Sequence, residues 1–179
     1  RNQFKNNPPQ VPVVDNHVGS YRREIVVPAT WKGKDIIAHF GSVTSNMYLW
    51  VNGKYVGYSE DSKLEAEFDL TSYLKPGQKN LIAFQVFRWC DGTYLEDQDK
   101  FRMSGIFRDV YLLNRPEQVI YDYFTTTELR EGQAVLTVKA RYQGQAVPAK
   151  LTLYDADHKA VVSQALNEEA GTEYNGIVI

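Results

Sequence analysis

Apolar and polar residues alternate along this chain in short blocks separated by turn residues, with no sustained helical period. Tyr21 to Val27 reads as a strand stopped by Pro28, Trp31-Lys-Gly33 as a turn, and Asp35 to Phe40 as a second strand. The strongest local signal runs from Asn46 to Val51, through Asn52-Gly53, and back from Lys54 to Tyr58. Asn-Gly supplies the two positive φ values that a type I′ turn requires, so a two-residue hairpin is predicted. Straight pairing outward from the turn sets Val51 opposite Lys54, Trp50 opposite Tyr55 and Leu49 opposite Val56. One face then carries Tyr48, Trp50 and Tyr55, and the other Met47, Leu49, Val51, Val56 and Tyr58. Two apolar faces predict a central place in a sandwich, with the aromatics packed in the core rather than offered to a sugar. Phe68 to Leu74 predicts one helical turn with Asp69 as N-cap, ended by Lys75-Pro-Gly77. Leu81 to Trp89 is apolar almost throughout and reads as a strand buried on both faces, and Ile106 to Leu113 as another strand.

Asn114-Arg-Pro116-Glu-Gln is polar and follows the last strand of the first block, which predicts domains over 1–115 and 116–179. Beyond it, Val119 to Thr127, Ala134 to Tyr142, Ala149 to Tyr154 and Ala160 to Gln164 read as four more strands with turns at Glu131-Gly132, Gln143-Gly144 and Asp155-Ala-Asp157. This spacing predicts an immunoglobulin-like sandwich, and the segment is shorter than the ~100 residues a complete one needs. The expected fold class is therefore all-β, with a second sandwich cut short at Ile179. Residues 1 to 19 carry Pro8, Pro9 and Pro12 and predict an extended lead-in along the surface or a sheet edge. That stretch does not read as a signal peptide, and Arg1 in place of an initiator Met fits a processed or excised segment.

Composition narrows the function classes. Twenty Lys and Arg stand against 22 Asp and Glu, a formal charge of −2, with no basic block. This gives no long-range pull toward nucleic acid or an anionic membrane, and neither is expected as a partner. No apolar run approaches the roughly 20 residues of a membrane helix. The single Cys90 excludes an internal disulfide and reads as a small semi-buried filler. His17, His39 and His158 are far apart with no Cys in zinc spacing, and no phosphate loop, dinucleotide fingerprint or nucleophile elbow occurs. Asp61-Ser-Lys, after the hairpin, is expected to hydrogen-bond to its own turn.

The chemistry concentrates between Arg88 and Asp109, where Asp91, Glu96, Asp97 and Asp99 crowd together before Lys100, Arg102 and Arg108. Such a run needs cations, a ligand or solvent to relieve its repulsion. It fits a metal site, a site for a hydroxyl-rich ligand, or the acid pair of a glycosidase. Glu96 with Asp99, or Asp97 with Asp99, could reach the carboxylate spacing of about 5 Å that retention requires. No second element obviously builds a cleft opposite them, which favours sugar or cation binding over independent catalysis. The simpler alternative is that Glu96 and Asp97 pair with Arg88, Arg102 or Arg108 and hold the loop.

Arg88-Trp89, Asp91-Gly92, Tyr94-Leu-Glu-Asp-Gln-Asp99 and Arg102-Met-Ser-Gly-Ile-Phe-Arg-Asp109 resemble the N-terminal sugar-binding domain of glycoside hydrolase family 2 β-galactosidases. Asn7-Pro-Pro, Leu49-Trp50, Asn52-Gly53, Val56-Gly-Tyr58, Asp61-Ser62 and Glu67-Phe-Asp-Leu70 extend the resemblance over about residues 7 to 114. It implies a jelly-roll sandwich followed by the start of the family's immunoglobulin-like domain. In that family the catalytic glutamates lie on a (β/α)₈ barrel further along, so no catalytic residue is expected in this chain. The acidic loop is expected to reach the rim of the barrel pocket, where Asp99 contacts galactose hydroxyls and a sodium ion. Glu60 and Asp91 fall where relatives hold a peripheral magnesium ion, so the implied cofactors are Na⁺ and Mg²⁺. The implied parent is a retaining β-galactosidase, commonly a homo-oligomer, with this chain alone inactive. Two rivals are a stand-alone carbohydrate-binding module, which needs exposed Trp or Tyr rings, and a structural or subunit-interface sandwich. The β-galactosidase reading expects Trp50 and Trp89 buried and Asp99 on an exposed loop.

Overall fold

The computed structural model describes residues 7–96, 103–145, 148–166 and 173–178. They form an all-β chain of two compact units, Arg1–Asn114 and Arg115–Ile179. In the first unit, β1 (Val18–Val26), β7 (Lys79–Phe87), β4 (Asn46–Val51) and β5 (Lys54–Glu60) make a sheet in the order β1-β7-β4-β5. A second sheet has the order β6-β2-β9, from β6 (Ala66–Asp69), β2 (Asp35–Phe40) and β9 (Val110–Arg115). A two-stranded pair joins β3 (Val43–Thr44) to β8 (Gly105–Ile106). Alternation along β2 buries Ile36, Ala38 and Phe40 on one face. They meet Met47, Leu49, Val51 and Val86 of the first sheet, with Val27, Leu70 and Leu74 completing the core. Phe40 packs edge-on against Phe84 at 5.4 Å and Phe68 at 6.0 Å, which ties the two sheets together.

The hairpin forms at Asn52-Gly53, with φ of 51° and 80°. Asn52 does more than turn. Its side chain donates to Tyr73 O and Asn80 Oδ1 and accepts from the Leu81 N–H, each at 2.9 Å. The register departs from straight pairing after the first two pairs: Leu49 faces Gly57 and Tyr48 faces Tyr58, leaving Val56 as a bulge. Tyr58 thus moves to the Tyr48 face, where the rings lie 4.7 Å apart. Gly57 is required by close approach, since a Cβ there would lie 3.0 Å from the Phe68 ring.

Other expectations are corrected. The start of the predicted helical turn over 68–74 is instead the end of β6, because Phe68 pairs with Ala38 and fills the core edge. Asp69 caps only the following turn, accepting from the Thr71 N–H at 2.9 Å. The strand expected over 106–113 divides into β8 and β9. Arg108 forces the division by donating to Gly41 O and Lys63 O at 3.2 and 2.9 Å, while the Gly41 N–H binds Asp109 O at 3.0 Å. β7 is covered on its inner face only: Ala83 is half-buried and Gln85 exposed on the other. Trp50 shares that outer face and is half-buried rather than buried.

In the second unit, β10 (Val119–Arg130) pairs with β11 (Gln133–Gln143), and β11 with β14 (Glu173–Val178). β12 (Ala149–Tyr154) pairs with β13 (Ala160–Leu166). Among the described residues, no helix is long and apolar enough to cross a membrane.

Candidate functional site

The candidate site begins where β7 ends. The Arg88 N–H donates to His17 O at 3.0 Å and Ser45 Oγ donates to Arg88 O at 2.8 Å. Asn16 clamps the Trp89 backbone from both sides, accepting its N–H at 2.9 Å and donating to its carbonyl at 3.0 Å. Trp89 is buried, with the Arg88 guanidinium 4.8 Å above its ring. A short 3₁₀ turn, Asp91–Tyr94, then opens the loop, its start held by the Thr93 hydroxyl accepting from the Cys90 N–H at 3.0 Å. Tyr94 donates to Gln10 O at 2.5 Å and accepts from the Asn7 N–H at 3.3 Å, which fastens the Asn7-Pro-Pro segment to the loop.

Glu96 is anchored by Ser62, whose N–H donates to Oε1 at 2.9 Å and whose hydroxyl binds Oε2. Ser62 is itself buried, and its carbonyl accepts from the Ser42 hydroxyl at 2.5 Å. The Asp61-Ser-Lys turn therefore does more than close on itself through the Lys63 N–H to Asp61 contact at 3.4 Å. It holds one of the acids in the loop. Asp97 and Asp99 lie outside the described residues.

Glu60, Asp91 and Cys90 come together, with their potential ligand atoms all within 4.8 Å of one another. Gly92 permits this, since a Cβ there would sit 3.0 Å from Glu60 Oε2. Glu60 is engaged by the Tyr58 hydroxyl and the Cys90 thiol. Burial pushes the Cys90 thiol up to about 11, and its hydrogen bond to Glu60 adds to the rise. Burial likewise raises Tyr58, with the Glu60 hydrogen bond and negative charge adding to it. Asn46, opposite Glu60 in the sheet, donates to Tyr58 at 3.0 Å, while its own Oδ1 is buried without a hydrogen-bond partner among the described residues. Two carboxylates near a spare amide oxygen suit a hard cation that retains several waters. A thiol held protonated is not a ligand for such an ion.

Sequence reasoning gave Asn46 no role of its own, Ser62 only a contact within its turn, and Cys90 only that of a filler. A buried Asn in an apolar strand is a usable signal, but its place opposite Glu60 depends on the bulge at Val56, which pattern alone does not reveal.

Residues 3–116 match the family model described as glycosyl hydrolases family 2, sugar binding domain. A beta-galactosidase of Priestia megaterium is 42% identical over 167 residues, covering 89% of this chain and 16% of that protein. A beta-galactosidase of Enterobacter cloacae is 50% identical over 142 residues, covering 77% of this chain and 14% of its own length. The chain thus spans about one-seventh of these relatives. Among solved structures, a Ruminococcus gnavus beta-glucuronidase superposes with a TM-score of 0.76 at 25% identity, covering 91% of this chain and 29% of that one.

Proposed function

The chain belongs to glycosyl hydrolase family 2, whose sugar-binding domain it carries over residues 3–116, and on that premise we propose that it is the non-catalytic N-terminal part of a retaining β-galactosidase acting on terminal β-D-galactosides. The observation that carries this reading is the identity of 42–50% to beta-galactosidases over most of the chain. It extends through the acidic loop and both units of the fold. The domain division proposed is 1–115 for the jelly roll and 116–179 for the immunoglobulin-like part.

In this reading the chain binds and positions; it does not break bonds. The 3₁₀ turn and the Glu96–Ser62 anchor fix the first half of the acidic loop, which lowers the ordering cost of that half when substrate arrives. Asp99 is the residue that would accept from galactose hydroxyls and would offer an oxygen to a sodium ion, at a pocket whose remainder would lie on the family's barrel. Glu60 and Asp91 are the residues that would hold magnesium. The ion would supply positive charge that offsets the two carboxylates beside the loop. The parent enzyme is proposed to be a homo-oligomer.

A hydrolysis assay on an o-nitrophenyl β-galactoside is expected to show no turnover by this chain alone. Turnover that disappears in Asp99→Ala would overturn the non-catalytic assignment. An NMR titration with galactose, with and without sodium, is expected to leave the amides of Tyr94 to Arg102 unshifted, because the loop needs the barrel. Saturating shifts there at millimolar galactose would instead support a self-sufficient binding module, with a binding free energy of about −4 kcal/mol.

A further inference from the structure

The outer face of the β1-β7-β4-β5 sheet carries a trough of about 320 Å³, and none of its described lining residues belongs to the acidic loop. Its origin is a small residue in the middle of a row of large ones. Arg22 of β1 lies opposite Ala83 of β7, and Ala83 lies opposite Trp50 of β4. Adjacent strands are about 4.8 Å apart, so the Arg22 and Trp50 backbones stand roughly 10 Å apart with only a methyl group between them. The next row, Ser20, Gln85 and Tyr48, closes one end with a hydroxyl and an amide. Phe84, the neighbour of Ala83, turns its ring inward onto Phe40 and leaves the floor low.

Trp50 is braced for a role as a wall. It stacks on Tyr48 at 6.1 Å with 27° between the rings and meets Tyr55 at 5.8 Å. Its indole is therefore held in place while still half-exposed. Arg22, Gln85 and Ser20 are exposed, and no hydrogen bond or ion pair engages their side chains among the described residues. The trough thus joins an indole wall to a facing guanidinium and a flanking amide. The ring face is negative and attracts polarised C–H groups, and the guanidinium and amide suit hydroxyl and ring oxygens. The volume lies at the low end of small-molecule sites and fits a ligand of one or two rings.

We infer that this trough is a pyranoside-binding site, with the C–H face of a sugar ring against Trp50 and its oxygens toward Arg22 and Gln85. The inference stands on the sheet geometry and does not need the acidic loop to bind sugar. Polar donors beside the aromatic wall favour a saccharide over a protein segment, which would leave Arg22 and Gln85 to be paired across an interface.

Lactose is the probe, with sorbitol as an acyclic polyol control. Added to the full chain, lactose is expected to shift tryptophan fluorescence saturably at millimolar concentration, while sorbitol does not. Ala83→Leu fills the floor and is expected to abolish the response with the far-UV circular dichroism unchanged. Trp50→Ala is expected to weaken binding about tenfold, read by ligand-observed NMR because its own fluorescence is gone. In a galactose titration the backbone amides at positions 50 and 83 shift, whereas a proposal based on the loop requires shifts at 94–102. A lactose response that survives Ala83→Leu and vanishes in Asp99→Asn would overturn the inference and assign the sugar to the loop. No lactose response, with a concentration-dependent dimer that Ala83→Leu disrupts, would overturn it in favour of a second copy of the chain.

Discussion

At the scale of single residues, side-chain amides fasten the first unit beside its apolar core. Asn80 is 2% exposed and uses both ends of its amide, accepting from the Lys75 N–H and Asn52 and donating to Lys75 O and Gln78 O. Replacing it by alanine strands several buried groups at once. Asn80→Ala is expected to lower the unfolding free energy by about 2–4 kcal/mol in urea titrations. A loss below 0.5 kcal/mol would mean water replaces the whole network. Cys90 poses a different test. Buried and held as a thiol by a pKa pushed up to about 11, it is not a nucleophile near neutrality. Iodoacetamide at pH 8 is expected to leave it unmodified in the native chain and to alkylate it in urea. Equal rates in both states would show that the 90–94 turn does not stay closed.

Among the elements, the hairpin of β4 and β5 dominates the sandwich because it contributes to both faces of its sheet. Its inner face supplies Met47, Leu49 and Val51, all fully buried. Leu49→Ala is expected to cost about 3 kcal/mol, as a lost side chain and a cavity in the centre of the core. The bulge ties β5 to β6 through the contact of Gly57 with Phe68. Gly57→Ala would press a methyl group onto that ring and is expected to cost about 1–3 kcal/mol, measurable by thermal unfolding. An unchanged midpoint would mean Phe68 can swing aside. The same bulge sets the outer face, since it places Tyr58 beside Tyr48 and brings Asn46 opposite Glu60.

Over the whole molecule, burial is uneven. Of the buried hydrophobic residues among those described, Val138 alone belongs to the second unit. In β10, Tyr123, Phe124 and Leu129 are 70%, 64% and 84% exposed. Stability follows buried apolar contact, so amides of β10–β13 are expected to exchange hydrogen at least about tenfold faster than those of β4 and β7. Uniform protection across both units would contradict that ranking. The all-β class, the Asn-Gly hairpin, β2 and the strands of the second unit were legible in the sequence, because period-two alternation and turn chemistry act over neighbouring residues. So was the family, through a loop motif long enough to be specific. The Val56 bulge, the break between β8 and β9, and the half-open outer face around Trp50 were not. Each depends on contacts between residues distant in the chain: Gly57 with Phe68, Arg108 with Gly41, and Ala83 between Arg22 and Trp50. Local pattern thus determined most of the segments that become strands, and tertiary packing decided the end of β6, the break between β8 and β9, and which strand faces stay open.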